Sequence, residues 1–386
     1  MVQNINSLDR NCQSLLAVRF SYADSKVDSF KVVSLQTQDL HRQGAHAENA
    51  DNAKNKASHS AGAHQPPPPL RPSQYSLKVY DPRDFPAYLP KLSQLYDDLF
   101  TGGKGFRAKL IAVVCKQIQV PLQTEHLLSQ TIEFIHNSSL LHDDLVDRSI
   151  LRRGKPAAWT KYSPEYAVLA GDYLLARVMV NLSLFGNIQL VQYTAEMISD
   201  LLEGEWLQDS VVGDLFVSLK QLDRIHNLKT ASLFKWCLAA PFIASKRSTP
   251  ELHSVLEELG SLLGQLFQRS DDLLDYNVRN YEGKAILGDL RSGYLNSFGA
   301  FVAQDLSRSE MDRMARSTEL PEFIEAIGGQ SEFQKRLDEF DRMNQELISV
   351  YNHHLHRLEQ MLLPHERPLI EQLRPLTDLL YWRRRP

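Results

Sequence analysis

The chain has 386 residues, of which 43% are hydrophobic and 23% are charged, and its formal net charge is −4. This composition is typical of a globular protein with one large domain or two modest ones. It provides no overall basic field of the kind that drives non-specific nucleic-acid binding, so we expect no nucleic-acid partner.

The three cysteines, Cys12, Cys115 and Cys237, are far apart in the chain. They form neither a disulfide framework nor a metal-binding motif, which fits a reducing compartment. We find no apolar run near the roughly 18 residues of a membrane span, and no signal peptide. We therefore expect a cytoplasmic protein with at most peripheral membrane contact. The basic run at 383–385 is a candidate for such contact, although a solvated chain end is the favoured interpretation.

Residues 1–74 are the first predicted unit, a largely disordered N-terminal extension with a proline-rich linker. Residues 41–69 contain no Val, Ile, Leu, Met, Phe, Tyr or Trp and end in four prolines. Such a segment cannot bury enough apolar surface to offset the entropy lost on ordering. Residues 75–386 are the second predicted unit, a helical domain.

Apolar residues recur at three- and four-residue spacings throughout the second unit, as in EYAVLAGDYLLARVMVNLSLF and ELHSVLEELGSLLGQLFQRSDDLLDY. This period is typical of amphipathic helices, and valine-rich alternating segments bounded by turn residues are absent from this unit. The pattern predicts an all-α domain of about ten helices.

Two acidic clusters share one spacing along predicted helices. Asp143, Asp144 and Asp147 form the first, and Asp271, Asp272 and Asp275 form the second. On a helix, residues i and i+4 share a face, with Cβ atoms about 5–6 Å apart, whereas residue i+1 lies roughly 100° around the axis. A solvated acidic face explains one such cluster alone. Two clusters, the second among leucines, instead favour facing walls of one cavity with oxygen ligands for Mg²⁺ and a substrate phosphate.

Basic and polar residues accompany both clusters. The run RRGKP places Arg152 and Arg153 after the first cluster, and TGGKGFRAKL places Lys104 and Arg107 beside two glycines. Arginine binds phosphate through two hydrogen bonds and lysine binds it as a point charge. Other polar groups interrupt apolar helices and need partners there; these are Lys229, Thr230 and Gln268.

The chain resembles the all-trans polyprenyl diphosphate synthases over roughly residues 85–300. The motifs that carry the resemblance occur in the family's order: GGKGFR, HDDLVD with RRGKP, AGDYLLA, the GE pair at 204–205, KTA at 229–231, and FQRSDDLLD. The resemblance implies an isoprenoid-synthase-type orthogonal helical bundle around a deep central cavity. It also implies a homodimer.

The implied reaction joins an allylic prenyl diphosphate to isopentenyl diphosphate through Mg²⁺-assisted ionisation, condensation and proton loss. Three Mg²⁺ ions would be held by Asp143, Asp147 and Asp271. The other cluster residues would support them, namely Asp144, Asp272 and Asp275.

The resemblance assigns the remaining polar residues to the two substrates. Arg152, Lys229 and Lys284 would bind the allylic diphosphate, and Thr230 and Gln268 would contribute to substrate binding. A basic pocket would bind isopentenyl diphosphate; its members are Lys104, Arg107, His136 and Arg153. His136 lies seven residues before Asp143 and therefore on the same helix face.

Ser138 and Ser139 precede Asp143 by about one helical turn, on the path that a growing product follows. Short-chain members of the family typically have an aromatic residue at one of these positions. The two serines therefore predict a medium- or long-chain product. A short-chain farnesyl or geranylgeranyl diphosphate synthase remains an alternative.

The sequence departs from the family pattern at several positions. Gly105 stands where the family has Arg, Ala108 where it has Pro, and Tyr294 where it has Lys, followed by Asn296–Ser297–Phe298 in place of a Thr-Leu-Pro-like run. Loss of a charged hydrogen bond to diphosphate would weaken affinity by about 1.5–3 kcal/mol. Two further alternatives are a non-catalytic partner subunit, against which the intact clusters argue, and a terpene cyclase, against which the second basic pocket argues.

Overall fold

A computed structural model describes residues 84–86, 88–100, 105–152, 154–277 and 285–382. The predicted N-terminal extension, residues 1–74, lies outside the described residues. Three predicted site residues do so as well, namely Lys104, Arg153 and Lys284.

The described residues form an all-α structure, as predicted. Its first helices are α1 (Pro90–Phe100), α2 (Phe106–Gln117), α3 (Leu122–Val146), α4 (Ala158–Lys161), α5 (Pro164–Phe185), α6 (Ile188–Ser210) and α7 (Leu219–His226). The later helices are α8 (Ser232–Ala244), α9 (Pro250–Leu274), α10 (Gly288–Arg291), α11 (Ser297–Ala303), α12 (Arg308–Ala315), α13 (Leu320–Ala326), α14 (Gln330–Met361), α15 (Pro368–Leu373) and α16 (Leu376–Tyr381). These helices outnumber the ten or so predicted, because short loops and turns divide several helical segments.

Local capping chemistry sets the ends of the long helices. The Ser163 hydroxyl accepts a hydrogen bond from a backbone N–H at the start of α5, and Asn187 and Thr249 do the same for α6 and α9. Such side chains satisfy N–H groups that lack a partner within the helix. Helix α5 ends at Gly186, whose φ of 77° places it in the left-handed region that glycine adopts without strain.

Two hydrophobic clusters hold the helices together. The first surrounds α3 and α8 and includes the fully buried rings of Phe134, Phe234 and Trp236. The second lies around the end of α9 and around α11 to α14, with Phe298 and Phe340 at its centre. Replacing one such ring by alanine typically costs about 3–5 kcal/mol of stability. The acidic end of α3 belongs to the first region, and the acidic end of α9 belongs to the second.

A π-helical turn, Asn227–Ala231, joins α7 directly to α8. The residues on either side of it, His226 and Ser232, keep right-handed helical angles, so the helical path continues through the turn. Such turns hold one more residue per turn than an α-helix and occur often at functional sites. Helix α9 approaches this turn closely at Gly264, where a Cβ atom would lie 2.3 Å from Ala231 Cα.

A two-residue hairpin follows α3 and was not predicted. Strands β1 (Leu151–Arg152) and β2 (Lys155–Pro156) pair antiparallel, with Arg152 opposite Lys155. Gly154 within the turn has a φ of 75°. The hairpin turns the chain back towards the end of α3, which places Arg152 beside the first acidic cluster.

Helix α5 is long and apolar enough to cross a membrane by length and composition, with a mean hydropathy of 1.4 over its most apolar window. The expectation that no segment reaches this length is therefore wrong for α5. This helix packs closely against α3, because a Cβ atom at Gly171 would lie 2.3 Å from His142 Nε2. Arg177 of α5 also pairs with buried Asp84 at 2.7 Å. These contacts make α5 an integral part of the bundle.

Candidate active site

The first acidic cluster lies at the C-terminal end of α3. The Asp147 N–H donates to the Asp143 carbonyl at 2.7 Å, so the helical path reaches Asp147 and the two side chains share a face, as predicted. Asp144 points elsewhere and is 4% exposed. Its Oδ1 and Oδ2 accept hydrogen bonds from Arg152 Nε at 2.8 and 3.1 Å. Asp144 therefore anchors the hairpin arginine, while Asp143 and Asp147 are left for other ligands.

Helix α6 and the π turn bring further charged groups to this face. Lys229 is 4% exposed and forms a salt bridge with Glu205. Its Nζ also donates to Gln208 Oε1 at 3.0 Å. Gly204 permits this approach, since a Cβ atom there would lie 2.6 Å from Lys229 Cγ.

Nearby cations and hydrogen bonds do not fully balance the negative charge of the carboxylates on this face. Burial, together with the nearby Glu205, raises the pKa of Asp143 to about 7, although Lys229 opposes the shift. Burial, Asp143 and Glu205 raise the pKa of Asp147 to about 9. One buried oxygen of each of the three residues accepts no hydrogen bond from any described residue: Asp143 Oδ2, Asp147 Oδ1 and Glu205 Oε1. Buried carboxylates of this kind favour a cation between them.

The donor set suits Mg²⁺ rather than a metal held by protein alone. Within the described ranges, no three His, Cys, Asp or Glu side chains are arranged to hold an ion without other ligands. Mg²⁺ usually takes one or two carboxylates and completes its shell with waters and substrate phosphate oxygens. The orphaned oxygens of Asp143 and Asp147 fit that incomplete protein shell.

The second acidic cluster, at the end of α9, is held by hydrogen bonds within the protein. Asp272 is fully buried; its Oδ1 accepts from Gln268 Nε2 and its Oδ2 from Ser297 N–H, both at 2.9 Å. Asp275 Oδ2 accepts from the Asp289 N–H at 2.8 Å. Asp271 is half-buried. Asp272 and Asp275 therefore take part in hydrogen bonds that hold the fold, and their supporting roles in metal binding stay a prediction.

The π turn is linked to both clusters through intermediate side chains. Lys229 faces the first cluster through Glu205, whereas the Thr230 hydroxyl donates to Gln268 Oε1 at 2.9 Å. Gln268 in turn donates to Asp272. Two adjacent residues, Lys229 and Thr230, therefore reach the two acidic clusters, which explains why polar side chains interrupt an otherwise apolar helix.

The predicted basic pocket is partly described. Arg107 Nη1 donates to His136 Nε2 at 3.3 Å, and its guanidinium carbon lies 5.8 Å from the centroid of the Phe234 ring. Because arginine only donates, the His136 ring accepts through Nε2. Gly105 precedes α2 with a left-handed φ of 54°, a conformation that an arginine adopts only with strain. The structure therefore brings Arg107 and His136 together, as the sequence predicts.

The predicted chain-length residues differ in their surroundings. Ser138 is 1% exposed, and its hydroxyl donates to the Gly171 carbonyl of α5 at 2.9 Å. The Ser139 hydroxyl donates to the His136 carbonyl in its own helix at 2.9 Å, and the residue is half-buried. Ser139 precedes Asp143 by four residues and shares its face. Ser139 is thus the better candidate for limiting product length.

The departures from the family pattern near 294–298 have structural roles. Tyr294 is 2% exposed and belongs to the second hydrophobic cluster. Asn296 caps α11 and donates through Nδ2 to the Asp289 carboxylate at 3.1 Å. The Ser297 N–H binds Asp272. The segment therefore orients the second acidic cluster.

Sequence reasoning missed three members of the site. Glu205 was noted only as part of a motif, and Gln208 and His226 were not singled out. His226 is buried, with Nε2 3.9 Å from Asp272 Oδ2. A glycine beside a charged residue in an apolar helix, as at Gly204–Glu205, is a signal of close approach that could have identified Glu205.

The chain matches the family model described as Polyprenyl synthetase over residues 89–323. It is 33% identical to the octaprenyl diphosphate synthase of Escherichia coli (strain K12) over 193 residues. That match covers 50% of this chain and 59% of the relative, so the chain spans about six-tenths of the length of this curated protein.

Two solved structures resemble the described fold. A decaprenyl diphosphate synthase from Rhodobacter capsulatus aligns with a TM-score of 0.70 and 27% identity, covering 79% of this chain and 93% of that protein. A polyprenyl synthase from Caulobacter crescentus CB15, complexed with calcium and isoprenyl diphosphate, aligns with a TM-score of 0.59 and 25% identity. That alignment covers 75% of this chain and 88% of the other.

Proposed function

Because the chain belongs to the polyprenyl synthetase family, we propose that it is a trans-prenyltransferase that condenses an allylic prenyl diphosphate with isopentenyl diphosphate. The observation that carries the proposal is the buried carboxylate face of Asp143, Asp147 and Glu205, whose charge Lys229 balances only in part. Carboxylates that hold a cation, next to a lysine, suit a diphosphate leaving group with several negative charges.

Metal binding is part of the proposal. Asp143, Asp147 and Asp271 would hold Mg²⁺, with three ions per site. When bound, Mg²⁺ neutralises diphosphate charge and makes it a better leaving group. The calcium and isoprenyl diphosphate bound by the Caulobacter crescentus relative support this assignment.

The cationic side chains form two groups, one for each diphosphate. Lys229 keeps its charge, because Glu205 and Asp143 raise its pKa despite burial, which lowers it. Lys229, Arg152 and Lys284 would bind the allylic diphosphate, with Thr230 and Gln268 fixing the position of the π turn. Arg107, His136, Lys104 and Arg153 would bind isopentenyl diphosphate. Positive charge placed where the leaving group gains negative charge lowers the barrier to breaking the allylic carbon–oxygen bond.

The carbocation formed in this way is attacked by the double bond of isopentenyl diphosphate. The released diphosphate, held by Lys229 and Arg152, is the nearest strong base and removes the proton, which yields an allylic chain five carbons longer. Water would capture the cation, so the apolar side chains that precede Asp143 on α3 serve to exclude it; these include Ile132 and Ile135, which are buried.

The product is proposed to be a medium- or long-chain polyprenyl diphosphate. Ser139 is a small residue one turn below Asp143, and the relatives named above are octaprenyl and decaprenyl diphosphate synthases. Ser139→Phe is expected to shorten the product, which chromatography of dephosphorylated products would measure. Ser139→Ala, which keeps the space open, is the matched control. Unchanged product length in the Phe variant would contradict this assignment.

The deciding experiment incubates the protein with Mg²⁺, labelled isopentenyl diphosphate and, in parallel, allylic primers of 5, 10, 15 or about 20 carbons. We expect an elongated product that EDTA abolishes. Products of 15 or 20 carbons would instead indicate a short-chain synthase. No incorporation with any primer would favour a partner subunit, and a cyclic hydrocarbon formed without isopentenyl diphosphate would indicate a cyclase.

We also propose that two copies of the chain pair through the outer face of α5 and α6. This face exposes large apolar side chains whose exposure is otherwise costly, notably Leu169 at 65%, Leu184 at 81% and Ile188 at 77%. The homodimer implied by the family resemblance would cover them. Sedimentation of Leu184→Glu against wild type tests this, because a charge at the interface should shift the mass from dimer to monomer.

A further inference from the structure

A buried arginine, Arg269, lies two residues before Asp271 on α9 and has no role in the site described above. It is 3% exposed, and its guanidinium carbon lies 5.8 Å from the centroid of the Phe340 ring in α14. Burying a charged group is costly, and an apolar side chain of similar volume would pack there without that cost. The arginine therefore provides something that packing alone does not, namely hydrogen bonds in fixed directions.

These hydrogen bonds join α9 to two other helices. Arg269 Nη2 donates to both carboxylate oxygens of Asp223 in α7 at 2.9 Å. Its Nη1 donates to Asn344 Oδ1 in α14 at 2.7 Å. Hydrogen bonds from a charged donor are about twice as strong as those between neutral groups. The last turns of α9 are therefore held to α7 and to α14 by a single side chain.

The network continues from Asn344 to α16. Asn344 is fully buried, and its Nδ2 donates to Tyr381 OH at 2.9 Å and to the Phe340 carbonyl at 2.8 Å. Tyr381 OH donates in turn to Asp341 Oδ1 at 2.7 Å. Buried polar networks of this kind specify one arrangement of the helices that carry them.

Asp223 connects this network to the candidate active site. It lies three residues before His226 on α7, and His226 Nε2 is 3.9 Å from Asp272 Oδ2. The π turn with Lys229 and Thr230 begins directly after His226. A shift of α9 against α7 would therefore displace Asp272 from its neighbour and would also alter the position of the π turn.

We propose that Arg269 is a positioning residue, which fixes the end of α9 so that Asp271 and Asp272 keep the positions that binding of Mg²⁺ and diphosphate needs. The inference rests on the proposed function for its ligands and on the hydrogen-bond network for its geometry. Mg²⁺ demands nearly ideal octahedral geometry, so small displacements of its ligands weaken binding. Residues that orient metal ligands typically change metal affinity or activity by about 10–100-fold when they are replaced.

The chain offers a matched control for Arg269→Gln. Arg247→Gln also removes an arginine that binds one carboxylate through two hydrogen bonds, but its partner, Glu366, lies outside the site. Hydrogen exchange compares the two variants without metal, substrate or turnover. We expect amides in 270–275 to exchange severalfold faster in Arg269→Gln than in Arg247→Gln, when both are compared at equal global stability. Equal exchange in this segment would overturn the proposal.

Binding is measured by calorimetric titration of the full chain with inorganic diphosphate at a fixed concentration of Mg²⁺. We expect Arg269→Gln to weaken diphosphate binding by about tenfold and Arg247→Gln to leave it unchanged. Arg269→Lys keeps the charge beside Asp223 but loses the fork that reaches Asn344, so its affinity should be intermediate. Equal weakening in Arg269→Gln and Arg247→Gln would overturn the proposal.

Tyr381→Phe tests the network from α16, and it does so even if Arg269→Gln folds poorly. The change removes one hydroxyl far along the chain from the aspartates and should weaken diphosphate binding by about threefold. Unchanged binding in this variant would contradict a network that extends to α16.

Turnover separates positioning from a general loosening of the fold. Arg269→Gln should raise the KM for the allylic diphosphate and leave the KM for isopentenyl diphosphate unchanged, because the second acidic cluster is proposed to hold only the former. Equal increases of both KM values would overturn the positioning role. A wild-type protein that forms no product would overturn the proposed function instead, and hydrogen exchange would still decide whether Arg269 positions α9.

Discussion

The two aspartate clusters share one spacing, but their carboxylates are held in different ways. At the end of α3, Asp143 and Asp147 keep buried oxygens without hydrogen bonds and have raised pKa values. At the end of α9, both oxygens of Asp272 accept hydrogen bonds from the protein, and Asp275 holds the backbone of Asp289. Identical spacing therefore does not imply identical roles. The first cluster retains capacity for a ligand, and much of the second is committed to the fold.

The largest expected effect comes from Asp143→Asn. Removal of a carboxylate that we propose to bind Mg²⁺ should lower kcat by about 10²–10³-fold or more. Stability should stay the same or rise, because one of several crowded carboxylates loses its charge. Steady-state rates with labelled isopentenyl diphosphate and thermal unfolding measure the two effects, with exposed Asp338→Asn as the control. If Asp143→Asn keeps its activity and unfolds more easily than wild type, the proposed difference between the two clusters is wrong.

Asp272→Ala should show the converse pattern. It leaves the buried Ser297 N–H and the Gln268 amide without their acceptor, which should lower the free energy of unfolding by about 2–4 kcal/mol. Urea denaturation of this variant beside Asp143→Ala is the direct comparison. Equal losses of stability in the two variants would show that both clusters are structural to the same extent.

Thr230→Val tests the connection between the clusters. Valine keeps the shape but removes the hydroxyl that donates to Gln268, a buried bond expected to contribute about 1 kcal/mol. Denaturation should detect that loss, kcat should fall severalfold through displacement of the second cluster, and Thr230→Ser should restore both. A serine variant as impaired as the valine variant would mean that packing, not the hydrogen bond, matters here.

Glu366 provides a buried, fully partnered carboxylate outside the site. Burial alone would raise its pKa, but hydrogen bonds from Arg247 and from Leu363 N–H outweigh burial and lower it. A lowered folded-state pKa means that the contribution to stability is present above the unfolded value near 4.5 and is lost as pH falls through the folded value. The stability of Glu366→Gln should therefore fall less steeply than that of wild type below about pH 4.5. Parallel pH curves would contradict this.

Helical periodicity was sufficient to predict several features of the site. It placed Asp143 and Asp147 on one face, turned Asp144 away, and put His136 on the Asp143 face, where Arg107 meets it. These predictions succeeded because each depends only on positions within one helix, where each residue is rotated by about 100° from the one before it.

Features that depend on contacts between distant segments could not be predicted in this way. The partner of Asp272 Oδ2 is a backbone N–H 25 residues further along the chain, and a backbone donor leaves no mark in the sequence. The pairing of Arg152 with Asp144 needed the hairpin, and the position of Glu205 needed the packing of α6 on the π turn. The spacing of residues within one helix predicts none of these three contacts.

The π turn at Asn227–Ala231 has a consequence for insertions and deletions. Such a turn amounts to one extra residue inserted in a helix, so deleting one residue there would restore a plain α-helix with α7 and α8 still in register. Deleting one residue from an ordinary α-helix rotates everything after it by about 100°, whereas the same deletion in the π turn would leave the packing of the bundle in place. What the deletion would remove is the arrangement in which Lys229 pairs with Glu205 beside the first cluster while Thr230 binds Gln268, which holds Asp272 of the second. The extra residue thus belongs to the candidate active site, and the helix can form without it.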